Sequence, residues 1–338
     1  MYESAKAFAE ALKEKIGTFL PDTLGELDIV VNDVQKNNSV MLTGITIKER
    51  DINIAPVIYV DKFYEAYSEG NMEFDEACSK VAQMYMDHRQ AENFEVEKIM
   101  EFDGVKDKII PKLVATATNE EMLSRHPHTE VGPGLSAVYQ INLSQTAEGT
   151  ASVKITNQMA DQYGVTADEL HEIALGNLES LSRPKLQSMN EIMMEMMMPN
   201  LLEMTGGDRE QAEIMFSQMA PENPMFVITN ESKVNGAVVV LDDKFMDQVA
   251  EQMGSETIYI LPSSIHEMIC LPTAGMDPQD LNAMVAEVDA NEVSPEERLS
   301  GFAYGYDAET HRLYKAEDAE FQQRAQEESE SQSAKKGR

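Results

Sequence analysis

Ser263, Ser264, His266 and Glu267 fall within five consecutive residues and hold the parts of a nucleophilic site. A serine hydroxyl beside an imidazole becomes a nucleophile when the ring takes its proton and a third group orients the ring. In an extended chain side chains alternate, so Ser264 and His266 share one face and Ser263 and Glu267 the other. The segment follows Tyr259-Ile260-Leu261, which reads as an interior strand, and Pro262 ends or bends that strand because proline lacks the ladder donor. Polar side chains just past a strand end often line a crevice. His266 is therefore expected at the rim of a pocket, hydrogen-bonded to a serine or a carboxylate. The same residues also suit a structural loop, in which the hydroxyls bind local backbone where the ladder stops. The structural loop is the commoner use.

Other residues offer less. His126-Pro127-His128 could supply two metal ligands, yet no cysteine or carboxylate stands nearby at ligand spacing. A loop between a helix and a strand is the expectation there, with no metal and no cofactor. His171-Glu172 and His266-Glu267 each begin like H-E-x-x-H, but neither has the second histidine. The phosphate-binding glycine patterns and the G-x-S-x-G elbow are absent.

Seven methionines lie between Met189 and Met204. On a helical wheel the apolar arc covers more than half the circumference, with Glu191, Glu195 and Glu203 on the rest, and that exceeds a normal surface stripe. Methionine fills irregular gaps in cores and also suits adaptable binding grooves. Core filling is the commoner use. The functional alternative is a partner-binding surface that includes Met193, Met196 and Met197, and Pro199 is expected to kink or end the helix.

The elements that must position these residues can be read in outline. An amphipathic helix opens the chain, with Phe8, Leu12, Ile16 and Phe19 at helical spacing. Residues 27–34 and 39–47 read as strands joined at Asn37-Asn38, since asparagine tolerates the left-handed turn conformation. Further strands are expected at 55–60, 112–117, 135–143, 151–156, 226–229, 237–241 and 259–261. Thr166 and Glu169 form a capping box at the start of a helix. Asp208 caps a second member of a helical pair, and Asp277-Pro278 starts a further helix. Strands and helices mix without a regular alternation, so the expected class is α+β, with mainly antiparallel sheets flanked by helices. The expected organisation is a module over 1–110, a second over 111–314, and a disordered, dispensable acidic tail over 315–338. Glu317, Asp318, Glu320, Glu327, Glu328 and Glu330 repel one another there, with almost no apolar residue to bury.

Composition narrows the function class. The 27 basic and 60 acidic residues give a net charge of −33. Direct nucleic-acid binding is not expected, because lysine and arginine lead it by neutralising phosphates, and an anionic membrane surface is disfavoured equally. Two cysteines are too few for a disulfide framework, which fits a reducing cytoplasm. No stretch approaches the ~20 apolar residues of a membrane span.

Several stretches taken in order carry a family resemblance. They are Lys36-Asn37-Asn38 with Leu42-Thr43-Gly44, Asn53-Ile54-Ala55-Pro56-Val57-Ile58-Tyr59 with Phe63-Tyr64, and residues 123–128. Ile155-Thr156-Asn157 with Glu169-Leu170, Ile228-Thr229-Asn230 with Gly236-Ala237, and residues 262–267 and 294–306 complete the set. Together they resemble an uncharacterised family of gut Firmicutes, the domain-of-unknown-function family 5688. Residues 134–177 also bear a more distant likeness to another uncharacterised bacillus family. The resemblance implies a cytoplasmic bacterial protein, sometimes encoded near mobile elements, and supplies no catalytic residues. Members often carry tryptophan where this chain has Tyr163.

The leading expectation is a non-enzymatic cytoplasmic factor that binds a protein or peptide partner. One alternative is a hydrolase using Ser263 or Ser264 with His266 and Glu267. Another is an acidic DNA-mimic inhibitor from a mobile element, which requires carboxylates spaced like phosphates on one face. The sequence sets no oligomeric state.

Overall fold

The computed structural model describes residues 2–50, 52, 55–89, 97–146, 149–220 and 225–336. Asn53 and Ile54 of the family-like stretches, and Gly337 and Arg338 of the tail, lie outside the described residues. The chain divides into two compact units, Met1–Glu101 and Phe102–Arg338.

The first unit is built from α1 (Ala5–Lys15), β1 (Leu27–Gln35), β2 (Met41–Glu49), β3 (Val57–Tyr59), α2 (Asp61–Ser68), α3 (Phe74–His88) and α4 (Glu97–Met100). Ser4 caps α1 by accepting the Ala7 N–H at 3.2 Å. The spacing of Phe8, Leu12 and Ile16 then places all three in the core. The hairpin turns where expected: Gln35 pairs with Met41, and Asn38 and Ser39 take φ values of 59° and 57°. The sheet runs β1-β2-β3, and Ile45 and Ile47 bury one face against α1 and against Ala77, Val81 and Tyr85 of α3. Burial raises the Tyr85 phenol to about 12. Its hydroxyl donates to Glu49 Oε1 at 3.0 Å, and Arg89 clasps both oxygens of that carboxylate at 2.8 Å.

The second unit opens with α5 (Phe102–Val105), β4 (Ile109–Ala115), α6 (Glu120–Leu123), β5 (His128–Gly132), β6 (Leu135–Thr146) and β7 (Gly149–Lys154). The cut expected between residues 110 and 111 therefore falls inside β4. β4 flanks one edge of β6, while β5 and β7 follow one another along the other, all antiparallel. Then come α7 (Asn157–Tyr163), α8 (Ala167–Ser182), β8 (Pro184–Ser188), α9 (Met189–Met204), α10 (Arg209–Met219) and β9 (Phe226–Asn230). The Thr166 capping box opens α8: Glu169 accepts the Thr166 N–H at 2.8 Å, and the Thr166 hydroxyl accepts the Glu169 N–H at 3.2 Å. The remainder is α11 (Asp243–Met253), β10 (Thr257–Pro262), β11 (Met268–Pro272), α12 (Pro278–Asn291), β12 (Tyr304–Asp307), β13 (Arg312–Lys315) and α13 (Ala319–Lys336).

A six-stranded antiparallel sheet ordered β13-β12-β10-β11-β9-β8 organises this unit. Every residue of β10 is buried. Ile258 and Ile260 face one core, with Met246 and Val249 of α11 and Leu178 of α8. Tyr259 and Leu261 face a second core, with Leu281 and Val285 of α12 and Phe321 of α13. The period-2 alternation of a strand thus separates two cores.

Two expectations fail here. Residues 237–241 are not a strand; Gly236–Leu241 is a 3-10 helix with Ala237, Val238, Val239 and Val240 buried. β9 already has β8 on one side and β11 on the other, so no ladder edge is open beside it. Gly236 lets the chain pass close by, because a Cβ there would stand 2.5 Å from the His266 carbonyl oxygen and 2.7 Å from the Asn230 nitrogen.

The tail expected to be disordered is the helix α13. Phe321 is fully buried, its ring 5.7 Å from that of Tyr259, in a seat that exists because residue 305 is glycine. A Cβ on Gly305 would stand 2.3 Å from the Phe321 ring. Arg324 pairs at 2.9 Å with Asp307, whose side chain is 0% exposed. A carboxylate so buried requires a charged or hydrogen-bonded partner. Glu328 accepts hydrogen bonds from the Glu256 and Thr257 N–H groups at 2.7 and 2.9 Å, and from the Thr257 and Ser255 hydroxyls at 2.7 and 3.1 Å. Mutual repulsion of the acidic residues is outweighed because these groups bind the sheet.

Truncation of Phe321 to alanine should cost about 3–5 kcal/mol, and Gly305→Ala about 1–3 kcal/mol through overpacking, both read by urea unfolding. Glu328 adds a pH signature. Burial alone would raise its pKa, but the hydrogen bonds from Thr257, the two backbone amides and Ser255 hold it below the ordinary value. A carboxyl depressed in the folded state stabilises fully above its unfolded pKa of about 4.3 and loses that contribution as pH falls through the folded value. Glu328→Gln should therefore be less stable than the parent at about pH 7, and the difference should shrink as pH falls through the depressed folded-state pKa.

Candidate functional site

Residues 263–267 are the connection of the β10–β11 hairpin, and Pro262 still pairs with Met268. The segment is a tight turn and not a continued strand, so the alternation expected for its side chains does not apply. The Ser263 hydroxyl donates to the Glu267 carbonyl at 3.1 Å, and the Ser264 hydroxyl accepts the His266 backbone N–H at 3.0 Å. The His266 ring bonds elsewhere. Its Nδ1 accepts the Asn235 N–H at 3.1 Å, which leaves the ring proton on Nε2, 3.4 Å from Glu297 Oε1.

The His266 ring therefore lies beside the Glu297 carboxylate and meets neither serine. Further bonds tie the turn to its neighbours: Thr229 Oγ1 donates to the His266 carbonyl at 2.8 Å, Ala237 N to Ile265 O at 3.2 Å, and Ile265 N to Glu297 O at 2.8 Å. In this geometry the polar groups join the end of β9, the turn at 235–237 and the stretch at 294–297. Cys270, two residues into β11, is fully buried, and burial pushes its thiol pKa up.

His128 is exposed as the first residue of β5, not part of a loop. Its Nδ1 lies 3.0 Å from the His126 carbonyl, and His126 Nδ1 lies 2.8 Å from the Met122 carbonyl. Each contact requires the ring to donate from Nδ1. Among the described residues no group of three or more histidine, cysteine, aspartate or glutamate side chains is placed to hold a metal ion.

The methionine segment is different in kind. α9 runs through Pro199 to Met204, so the proline does not end it. Asp208 caps α10 by accepting the Gln211 N–H at 3.1 Å. The two helices share a small cluster of Leu201, Ala212 and Phe216, with Met193, Met194, Met197 and Met198 packed partly against it. Of the sixteen residues of α9 only Leu201 is buried. Met196 is 75% exposed and Met204 72%, while Ile214 and Met219 of α10 are also exposed. Core filling thus describes Met193, Met194, Met197 and Met198 in part, while Met196 and Met204 stand outside it.

A family model described as a family of unknown function, DUF5688, matches residues 5–308. The chain belongs to that family. No curated protein and no solved structure matches it. The matched region of this DUF5688 protein contains the turn at 263–267 and the methionine hairpin, while β13 and α13 lie beyond it. Among the described residues no helix is long and apolar enough to cross a membrane.

A depression of 960 Å³ runs between α11 and α13. Arg324 and Glu328 line it, and both are already engaged in holding α13. A smaller cleft brings His171 and His311 to one place. Sequence reasoning passed over that pair, because the two histidines are far apart in the chain and neither sits in a motif.

If the imidazole is a hydrogen-bond post, His266→Ala should cost about 1 kcal/mol, near the low end for a lost partner because the site is partly exposed. His266→Asn should recover most of that, since the Asn carbonyl replaces Nδ1 as acceptor. Equal urea midpoints for Ala and wild type would show that the ring does not hold the turn.

Proposed function

We propose that this DUF5688 protein is a non-enzymatic, cytoplasmic factor that binds an apolar segment of a protein or peptide partner, flanked by basic residues, on the α9–α10 hairpin. The observation that carries this reading is α9 itself. A helix whose apolar arc exceeds half its circumference ordinarily has that arc buried, yet here Leu201 alone is fully buried. Contiguous exposed apolar surface marks interaction sites. Unbranched methionine side chains repack around partners of different shape, which suits such a surface.

Charge supports the chemistry of the partner. The hairpin carries Glu191, Glu195, Glu203, Asp208, Glu210 and Glu213, and its one basic residue, Arg209, is paired with Glu213 at 2.9 Å. An acidic rim around an apolar centre favours approach of a basic-flanked apolar helix and disfavours an acidic one. The turn at 263–267 adds no competing chemistry to this reading, because both serine hydroxyls and both nitrogens of the His266 ring face other groups.

Fluorescence anisotropy with a labelled amphipathic leucine–lysine peptide tests the proposal. Binding should be saturable and should weaken with salt. Met196→Lys combined with Met204→Lys should weaken it by about tenfold or more, equivalent to about 1.4 kcal/mol. The far-ultraviolet circular dichroism should stay unchanged, since both residues are exposed. Unchanged affinity in the double variant, or equal binding of a glutamate-flanked peptide, would refute the assignment.

A further inference from the structure

Nine of the chain's 23 methionines lie between Met189 and Met219, on α9 and α10. Met196, Met204 and Met219, at 75, 72 and 58% exposed, are the three most exposed large apolar side chains among the described residues. Behind them Met193, Met194, Met197, Met198 and Met215 are partly buried against the cluster of Leu201, Ala212 and Phe216. Met246 and Met268, in the body of the second unit, are fully buried.

Apolar character alone does not call for methionine here, since leucine supplies it as well. What methionine adds is an oxidisable sulfur. Hydrogen peroxide converts a thioether to a sulfoxide. A sulfur lone pair takes one peroxide oxygen, the S–O bond forms as the O–O bond breaks, and the other oxygen leaves with both protons as water. The sulfur loses an electron pair and the peroxide gains it. Thiolates ordinarily compete for such an oxidant. Cys78 and Cys270 do not, because both are fully buried and burial raises both thiol pKa values. The sulfur that this chain presents to solvent is therefore methionine sulfur, and it is most exposed on the hairpin.

We propose that the α9–α10 hairpin is a reversible oxidation site, at which hydrogen peroxide converts Met196 and Met204, then Met219, to sulfoxides and so releases the apolar partner. The effect on binding rests on the peptide-binding reading above; the place of oxidation does not. A sulfoxide oxygen is a hydrogen-bond acceptor, and carrying it into an apolar contact strips its water without replacement. Reaction of the second tier, Met193, Met194, Met197 and Met198, sets the same polar oxygen against Leu201 and Phe216 and loosens the hairpin itself. Methionine sulfoxide reductases return each sulfoxide epimer to the thioether, so the surface recovers.

Limited peroxide treatment of the full chain, followed by proteolysis and mass spectrometry, locates the added oxygen. Met196 and Met204 should be the first methionines modified, with Met246, Met268 and both cysteines spared. Anisotropy with the leucine–lysine peptide should then show affinity reduced about tenfold. Treatment with the two sulfoxide reductases and a thiol reductant should restore it. Met196→Leu combined with Met204→Leu keeps both side chains apolar and removes their sulfurs. Compared with its own untreated sample, that variant should lose several-fold less affinity on peroxide treatment than the parent does. The proposal is overturned if oxygen enters other methionines or the cysteines first, if the oxidised protein keeps its affinity, or if the reductases do not restore it. Absence of peptide binding before any peroxide refutes the partner reading and the release with it, whereas the oxygen map alone decides where the oxidant acts.

Discussion

Burial of β10 on both faces is the constraint on which the second unit rests. A strand covered on one side needs one apolar set; a strand covered on both needs two, in strict alternation. Ile258 and Ile260 supply one set, Tyr259 and Leu261 the other, and a one-residue slip would exchange them. The neighbours must then cover two cores at once. α8 and α11 serve one, α12 and α13 the other, and the β10–β11 turn is bonded to β9 and to the 294–297 stretch around them.

That constraint explains why the residues with most apparent chemistry act as connectors in this structure. A tight hairpin between two buried strands leaves several backbone groups without ladder partners, and each needs one. Ser263, Ser264 and the His266 ring supply them. The exposed methionines face no such demand. The α9–α10 hairpin leaves the sheet beside its edge strand β8 and keeps its own small cluster, so most of its apolar surface is free of the body's packing.

Much of the α+β architecture was legible, because caps and turns are local. Thr166 with Glu169, Asp208, Asp277 with Pro278, and the Asn37-Asn38 turn each state their role within a few residues. Elements decided by distant partners were not. β8 begins with proline and carries one strongly apolar residue, Leu186, and only pairing with β9 makes it a strand. The buried valines at 238–240 resemble a strand in composition, and the crowding around Gly236 and the occupied flanks of β9 decide otherwise. α13 looked unable to bury anything, since its docking relies on one phenylalanine, one salt bridge and one multiply bonded carboxylate. Of the candidate sites, the methionine helix was visible as an anomaly of pattern. That His171 and His311 line one small cleft depends wholly on the tertiary arrangement.

The placement of α13 has a consequence for the order of assembly in the cell. Domains form as units during synthesis, amino-terminal portions first, at about 5–20 residues per second. The first unit can close its core before any of the large sheet has been made. The large sheet cannot finish in the same way, because α13 is translated after every strand it covers. Until it arrives, Tyr259 and Tyr314 lack the aromatic ring that packs against both, and Asp307 lacks its arginine. The nascent chain therefore passes through a stage with one core complete and the other open, until α13 closes it.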